Sequence, residues 1–294
     1  MDIVHDPAVV RARCRQWQRE GVTTGLVPTM GYLHAGHASL LRLAREKAER
    51  VVASVFVNPT QFGPGEDLET YPRDLDHDAA LAEAAGVDLL FAPAPEAMYA
   101  PEAATWVEVP ELAKYLCGAT RPIHFRGVCT IVSKLFLLTQ PTVAVFGQKD
   151  WQQLAILRRM VADLGFPVEI VGAPIVREAD GLALSSRNVY LTETERAEAV
   201  HLNKGLGLAE ELVAAGERDS AAILARVRDY FATHIPSGTL DYLSCVHPWR
   251  LYDLERIDGQ ALFAAAMRFS KARLIDNRLT DITKSASKRH NPTT

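Results

Sequence analysis

Two histidines stand three residues apart at a predicted strand-to-helix turn, where their side chains could bind an anion. His34 and His37 follow the apolar run Gly25-Leu26-Val27 and precede a predicted helix over Ala38–Arg50. A helix N-terminus offers free N–H groups and a partial positive charge, and imidazoles placed there can donate hydrogen bonds to phosphate. Gly36 has no Cβ, so a flat base or a phosphate can approach the backbone closely. The spacing His-x-Gly-His predicts a nucleoside triphosphate site, and the alternative is that both histidines only cap the helix.

Polar side chains also follow three other predicted strands, at the points where those strands end. The carboxyl ends of parallel strands meet at one edge of a sheet, and ligands bind at that edge, so we expect these groups to lie together. An ordinary solvated surface would not place four polar clusters there by preference. The three further clusters are Asn58-Pro59-Thr60-Gln61-Phe62-Gly63, Gly147-Gln148-Lys149-Asp150 with Gln152-Gln153, and Leu184-Ser185-Ser186-Arg187.

Several of these residues suit phosphate binding, and several also have a purely structural interpretation. Lys149 comes soon after Gly147 at a predicted helix start, which is a suitable place for a phosphate. The segment Ser185-Ser186-Arg187 offers two hydroxyls and a guanidinium fork, which together can clamp a phosphate. Alternatively, Lys149 is a solvated charge, Asp150-x-x-Gln153 is a capping box and Asn58-Pro59 is a plain turn.

The order of apolar and amphipathic segments predicts a doubly wound α/β domain. Apolar strands without clean alternation, separated by helices, are typical of a parallel sheet covered on both faces. The predicted strands are Thr24–Pro28, Val51–Val57, Val87–Ala92, Val143–Phe146 and Val168–Val171. The predicted helices are one that begins at Asp6-Pro7 and ends by Gly21, and those over Ala38–Arg50, Asp74–Ala85, Gly127–Thr139 and Asp150–Leu164.

The pattern changes between Pro174 and Arg187, where a smaller α+β domain begins. A capping box at Thr192-x-x-Glu195 opens a helix to about Ala215, and a second helix covers Ser220–His234. Two predicted strands of a small antiparallel sheet, Leu240–Val246 and Phe263–Ile275, complete this domain. We therefore expect domains over residues 1–175 and 176–283, followed by a polar tail over 284–294 that we predict to be disordered.

Composition limits the possible functions. The chain has 294 residues, is 48% hydrophobic and carries a formal net charge of -4, so no overall field attracts nucleic acid or a membrane surface. No apolar run approaches the roughly 20 residues needed to span a bilayer, and the start of the chain lacks a signal-peptide pattern. Four cysteines stand far apart without metal-ligand spacing, which favours reduced, buried thiols in a cytoplasmic protein.

The motifs resemble those of the pantothenate synthetase (pantoate–β-alanine ligase) family of the HxGH nucleotidyltransferase-like superfamily. The resemblance runs from about Val27 to Arg196 and returns at Arg273-Leu274-Ile275-Asp276-Asn277. It implies a Rossmann-like domain, a smaller C-terminal lid domain and a homodimer. Gln148 stands where the family usually has glutamate. The segments that carry the resemblance are Pro28-Thr29-Met30-Gly31, His34-Ala35-Gly36-His37, Phe56-Val57-Asn58-Pro59-Thr60-Gln61-Phe62, Tyr71-Pro72-Arg73, His124-Phe125-Arg126-Gly127-Val128, Phe146-Gly147-Gln148-Lys149-Asp150 and Ser185-Ser186-Arg187-Asn188.

The resemblance implies a two-step reaction. The carboxylate of (R)-pantoate attacks the α-phosphorus of ATP to give pantoyl adenylate and pyrophosphate, and the amine of β-alanine then displaces AMP. The implied catalytic residues are His34, His37, Lys149, Ser185, Ser186 and Arg187. The implied ATP-binding residues are Met30, Gly31, Tyr32, Leu33, His34, Ala35, Gly36, His37, Gly147, Gln148, Lys149, Asp150, Val176, Leu184, Ser185, Ser186 and Arg187.

Substrate and metal contacts are also implied. Gln61 and Gln153 are neutral amides that suit the hydroxyls and carboxylate of pantoate, with Asn58 beside them. Arg121 precedes a predicted helix and either steers an acidic substrate or is simply exposed. Asp150 is a candidate contact for Mg²⁺, which would be bound mainly through the ATP phosphates.

Two other classes of function stay open at this point. A different nucleotidyltransferase, such as an adenylyltransferase or a tRNA-charging enzyme, could use the same turn, although the chain lacks a large basic anticodon-binding region. A non-catalytic nucleotide-binding regulator could share the fold, but it would not need Gln61, Gln153 and Asn58 beside a phosphate site. Pyrophosphate release that depends on both ATP and pantoate separates these possibilities.

Overall fold

The computed structural model describes residues 1–283, and the predicted tail over 284–294 lies outside the described residues. The chain forms two compact units. The first contains residues 1–114 and 118–176, and the second contains residues 115–117 and 177–283. Each unit has its own sheet and its own hydrophobic core.

The first unit is built on a six-stranded parallel sheet with the order β1-β4-β3-β2-β5-β6. Val27, Val51 and Ala53 belong to a core cluster with residues of helix Ala35–Lys47, and the intervening Leu26 and Val52 are also fully buried. Burial on both faces explains why these strands read as continuous apolar runs. The strands are β1 Asp2–Val4, β2 Thr24–Thr29, β3 Arg50–Val55, β4 Leu89–Phe91, β5 Val143–Gly147 and β6 Glu169–Ala173.

Helices connect the strands of this sheet. The first begins as predicted, with Asp6 as N-cap accepting from the Ala8 N–H and Pro7 in the first helical position. The helices are α1 Pro7–Arg19, α2 Ala35–Lys47, α3 Leu75–Ala84, α4 Pro95–Met98, α5 Pro110–Ala113, α6 Leu116–Thr120, α7 His124–Thr139 and α8 Trp151–Leu164. Short 3₁₀ helices cover Pro59–Gln61 and Gln148–Asp150.

The strand order fixes where a ligand site can form. Strands β3 and β4 lie on one side of β2, while β5 and β6 lie on the other. The direction of winding therefore reverses between β2 and β5, and ligands of doubly wound sheets bind at the carboxyl ends of the strands at such a reversal. His34 and His37 lie in the segment that follows β2, and Lys149 lies in the segment that follows β5, so all three are near this reversal.

The second unit packs two helices against a three-stranded antiparallel sheet. Its core includes Leu206 of the first helix, Phe231 of the second and Phe263 of the sheet. The first helix opens with the predicted capping box of Thr192 and Glu195. The elements are a 3₁₀ helix over Ser186–Tyr190, α9 Glu193–Ala214, α10 Ser220–His234, β7 Thr239–Val246, β8 Gln260–Arg268 and β9 Arg273–Asp281.

The predicted fold class is confirmed, and several elements differ from the prediction. Helix α2 covers Ala35–Lys47 rather than Ala38–Arg50, so His37 lies in its first turn instead of before it. Strand β1 was missed, because three residues carry too little pattern and only pairing with β4 defines the strand. Helix α7 begins at His124 rather than at Gly127. The segment Phe263–Ile275 is not one strand: a turn closed by the Phe269 N–H bond to the Ala272 carbonyl divides β8 from β9.

Two expectations from composition can be compared with the described residues. All four cysteines are buried and no disulfide joins them. Within residues 1–283, no helix is both long enough and apolar enough to cross a bilayer.

Candidate active site

The turn after β2 is held in a left-handed conformation by a buried carboxylate. Gly31 and Tyr32 have φ angles of 86° and 52°. Asp78 of α3 accepts hydrogen bonds from the backbone N–H groups of Tyr32 (2.8 Å) and Leu33 (2.6 Å). Burial raises the pKa of Asp78, although these two donors oppose the rise. The turn places His34 at the start of α2.

His34 and His37 both accept backbone hydrogen bonds at Nδ1. His34 is the N-cap of α2, and its Nδ1 accepts from the Gly36 N–H at 3.1 Å. The Nδ1 of His37 accepts from the His34 N–H at 3.3 Å, and the two ring centroids lie 4.1 Å apart. A neutral imidazole that accepts at one ring nitrogen carries its proton on the other. Both side chains therefore hold an N–H donor at Nε2.

The histidines are neutral at physiological pH. Burial, together with a smaller effect of the positive charge of Lys149, lowers the pKa of His34 to about 4. Burial likewise lowers the pKa of His37 to about 3, with His34 and Lys149 adding to the effect. Lys149 is thus within electrostatic range of both rings. The predicted pair of histidines and the predicted lysine form one cluster of donors beyond β2 and β5.

The segment after β5 contains the acidic residue Asp150 next to Lys149. Asp150 is exposed and precedes α8 without a side-chain capping bond, so Asp150-x-x-Gln153 is not a capping box. Burial lowers the pKa of both His34 and His124, and the charge of Asp150 partly offsets that effect in both. Gln148 donates to the Gly172 carbonyl at 3.3 Å, a bond that a glutamate carboxylate could not donate.

Asn58 is fully committed to protein contacts. Its Nδ2 donates to the Gln61 side chain (3.2 Å) and to the Gly127 carbonyl (3.1 Å). Its Oδ1 accepts from the Thr60 hydroxyl (3.0 Å) and the Tyr99 hydroxyl (2.9 Å). With both donors and both acceptor sites used, Asn58 is suited to positioning Gln61 rather than to touching a ligand.

Two glutamines keep amide groups that a ligand can bind. The buried Gln61 donates from Nε2 to the thioether of Met30 at 3.0 Å, and sulfur is a weak acceptor that a hydroxyl can displace. Gln153 lies half-buried in the first turn of α8, and its side chain makes no hydrogen bond among residues 1–283. Both amides are neutral, so neither repels a carboxylate.

Arg121 differs from the sequence expectation because it has a counter-ion within the chain. It forms a bidentate ion pair with Glu66 at 2.7 and 2.6 Å. Burial of Glu66 would raise its pKa, but the bonds from Arg121 outweigh burial and lower it. Arg121 is therefore less suited to a substrate carboxylate than a free cation would be.

Sequence reasoning did not assign His124 or Asp78 to the site. His124 shares a 3.0 Å hydrogen bond between its Nδ1 and the Gln61 carbonyl, and burial lowers its pKa to about 4. Since a carbonyl only accepts, Nδ1 carries the proton. His124 lies in the quoted motif His124-Phe125-Arg126-Gly127-Val128, which was a usable signal. Asp78 is one of several acids near the start of α3, and nothing in the sequence distinguishes it.

The remaining predicted phosphate ligands belong to the second unit. Ser185 caps the 3₁₀ helix Ser186–Tyr190, and its hydroxyl accepts from the Arg187 N–H at 3.3 Å. The segment before it is anchored by Arg177, which forms a bidentate pair with the buried Asp276 at 2.7 and 2.9 Å. The structure thus fixes the backbone of Leu184-Ser185-Ser186-Arg187 locally, within its own unit.

The first unit contains all the other predicted residues. No group of three metal-ligating side chains occurs within residues 1–283. The exposed Asp150 carboxylate fits a hard cation that takes most of its ligands from phosphates and water, as Mg²⁺ does. The predicted residues in the first unit are Met30–His37, Asn58, Gln61, Arg121, Gly147–Asp150, Gln153 and Val176.

A doubly wound sheet with neutral imidazole donors and a lysine at its strand-reversal point defines a nucleotide-binding α/β protein. Comparisons with known proteins identify the family within this class of nucleotide-binding proteins. The family model for pantoate-beta-alanine ligase matches residues 2–279 of the chain. A pantothenate synthetase of Solidesulfovibrio magneticus is 70% identical over 279 residues, which is 95% of this chain and 98% of that protein. The chain belongs to the pantoate–β-alanine ligase family and is an enzyme.

Solved structures agree with this assignment. Pantothenate synthetase from Thermus thermophilus matches with a TM-score of 0.90 at 50% identity, covering 95% of this chain and 99% of that one. A pantoate-beta-alanine ligase from Francisella tularensis, complexed with beta-gamma ATP and beta-alanine, matches with a TM-score of 0.78 at 30% identity. That match covers 95% of this chain and 97% of the other.

Proposed function

We propose that the chain condenses (R)-pantoate with β-alanine in an ATP-dependent reaction through a pantoyl-adenylate intermediate, releasing pyrophosphate and AMP. The observation that carries the proposal is the cluster of two neutral imidazole N–H donors and Lys149 at the strand-reversal point. Family membership and the Francisella complex with an ATP form and β-alanine support the substrates.

In the first step the pantoate carboxylate attacks the α-phosphorus, and pyrophosphate leaves. The substrate is itself the nucleophile, so no side chain has to form a covalent bond. Negative charge that develops on the phosphates is stabilised by donors already in place, which are the Nε2–H groups of His34 and His37 and the Lys149 ammonium. Because the histidines stay neutral, they donate without first having to gain a proton.

Pantoate is assigned to the two glutamines. Gln61 is held by Asn58 on one side and by the weak Met30 contact on the other, so its amide is oriented yet available. Gln153 offers a second amide from α8. Amides can pair with a hydroxyl and a carboxylate together, which matches the polar groups of pantoate.

In the second step the β-alanine amine attacks the activated carbonyl and AMP leaves. For the nucleotide we assign the residues Met30–His37, Gly147–Asp150 and Val176, and from the second unit Leu184-Ser185-Ser186-Arg187. Mg²⁺, when bound with ATP, would neutralise phosphate charge, and we assign Asp150 as its candidate protein contact. A homodimer remains a prediction of the family resemblance, and a cytoplasmic location remains a prediction from the cysteine pattern.

Pyrophosphate release tests the proposal. We expect release only when ATP and pantoate are both present, and we expect AMP and pantothenate after β-alanine is added. A soak of crystals with ATP and pantoate should give density for an adenylate. ATP-dependent release without pantoate would favour a different nucleotidyltransferase. Tight ATP binding with no release under any substrate combination would favour a non-catalytic regulator.

A further inference from the structure

We infer that Asp78 is a positioning residue for the nucleotide site, acting through the turn Gly31-Tyr32-Leu33 on His34 and His37. Asp78 is not among the residues assigned to substrates. Its carboxylate instead uses both oxygens on the turn, with Tyr32 N–H at 2.8 Å from Oδ2 and Leu33 N–H at 2.6 Å from Oδ1. The inference rests on the proposed function of the two histidines.

The turn needs such a contact because its backbone is unfavourable without one. Tyr32 has a φ of 52°, a conformation in which a side chain with a Cβ is strained. The preceding Gly31 is also left-handed, and a Cβ built there would lie 2.9 Å from Asp78 Oδ2 and 2.8 Å from Val55 Cγ1. The carboxylate and the glycine therefore fit each other closely, and strained backbone of this kind persists where its surroundings over-determine it.

The same helix turn makes a second contact with the loop. His77 Nε2 donates to the Leu33 carbonyl at 3.0 Å. Leu33 is thus held at its N–H by Asp78 and at its carbonyl by the neighbouring residue of α3. We call these contacts of His77 and Asp78 with the turn the clamp. Since His34 directly follows Leu33, the clamp sets where α2 begins and where the His34 N-cap lies.

The clamp also decides which donors face a ligand. The N–H groups of Tyr32 and Leu33 are used by Asp78, and those of His34 and Gly36 are used by imidazole Nδ1 atoms. Four backbone donors of this turn are thereby removed from phosphate binding. The imidazole Nε2–H groups remain available to a phosphate, and the orientation of the two rings depends on the clamp.

The test compares two aspartates at the start of α3. Asp78→Asn keeps the size of the side chain but turns an NH₂ group toward one of the two backbone donors. Asp74→Ala is the matched control, because the Asp74 carboxylate caps the same helix through the His77 N–H at 3.0 Å, whereas the Asp78 carboxylate bonds to the turn. Calorimetric titration measures ATP and pantoate affinity, and ¹⁵N NMR of the ligand-free protein measures the tautomers of His34 and His37.

We expect Asp78→Asn to weaken ATP binding about tenfold and pantoate binding less than threefold, and to mix the histidine tautomers. Asp74→Ala should lower the melting temperature while leaving ATP affinity within twofold. If Asp78→Asn does not fold, His77→Ala, at an exposed position, removes the carbonyl contact alone and should weaken ATP about threefold. Parental ATP affinity and tautomers in a folded Asp78→Asn variant would overturn the inference. Failure of the parent protein to bind ATP would instead overturn the proposed function.

Discussion

At the scale of residues, each of the two histidines accepts a backbone hydrogen bond at one ring nitrogen and keeps an N–H donor at the other. Their Nδ1 atoms accept backbone N–H groups at the start of α2, which is the capping role considered as an alternative in the sequence. Their Nε2 atoms then carry the protons and can donate to phosphate. The two interpretations of the motif are therefore compatible, and the cap is what fixes the tautomer.

We predict that His37→Ala and Lys149→Ala each slow adenylate formation by about 10²–10³-fold, the usual cost of removing a donor placed for transition-state charge. Single-turnover formation of the adenylate measures the effect, and circular dichroism shows whether the variants fold. The control is Lys204→Ala, since Lys204 is exposed on α9 in the other unit. A loss below about threefold in both site variants would remove these residues from the catalytic machinery.

The buried imidazoles also predict how stability depends on pH. Burial lowers the pKa of His34, His37 and His124 to about 4, 3 and 4, so between pH 6.5 and 4 the unfolded chain binds more protons than the folded one. Their contribution is complete above about pH 6.5 and is lost as the pH falls toward 4. We expect the urea midpoint to fall across this window, and to fall less steeply in His37→Gln. An equal slope in the variant would contradict the low pKa of His37.

At the scale of elements, the close approach of α7 to the 3₁₀ helix Pro59–Gln61 positions Gln61, the glutamine that we propose for pantoate. An ideal Cβ on Gly127 would lie 2.5 Å from the Thr60 carbonyl oxygen and 2.6 Å from the Gln61 backbone nitrogen. Both neighbours are backbone atoms, so the short helix would have to move. Asn58 also donates a hydrogen bond to the Gly127 carbonyl, and a shift of the short helix would distort that bond as well.

We predict that Gly127→Ala costs about 1–3 kcal/mol of stability through overpacking and weakens pantoate about tenfold. ATP binding should change far less. Thermal unfolding and calorimetric titration of each ligand measure these effects. Gly259→Ala serves as the control, because nothing lies within 4 Å of a Cβ there and its φ is not positive. Equal weakening of both ligands would show that α7 supports the whole site rather than Gln61.

Most strands of the parallel sheet could be predicted from the sequence, but the side-chain contacts that support the candidate site could not. Long apolar runs such as Val51–Val57 predict buried parallel strands because both faces are covered, and the polar segments after them predict the ligand edge. Asp2–Val4 could not be found this way, since only its pairing with β4 makes it a strand. The bonds of Asp78 to the turn and the Arg121–Glu66 ion pair could not be predicted either, because the partner of each acid is decided by tertiary contacts.

At the scale of the whole molecule, the residues assigned to the nucleotide come from both compact units. The histidines, Lys149 and Val176 belong to the first unit, while Leu184-Ser185-Ser186-Arg187 belongs to the second. The second set is fixed locally by the Arg177–Asp276 pair and by the cap of Ser185. Under the proposed function the second set contacts the phosphates of ATP, so we expect ATP binding to order the segment that carries this set.

The expected ordering of this segment can be tested by backbone hydrogen exchange. ATP alone should slow hydrogen exchange from Val176 to Asn188, because the phosphate contacts of Ser185-Ser186-Arg187 would order that segment. Arg187→Ala should abolish the slowing, whereas Arg226→Ala, at an exposed position on α10, should leave it intact. Exchange mass spectrometry with and without ATP makes the comparison. Unchanged protection in the parent protein would mean that the segment is a static connection, even if the Arg187 guanidinium still touches phosphate.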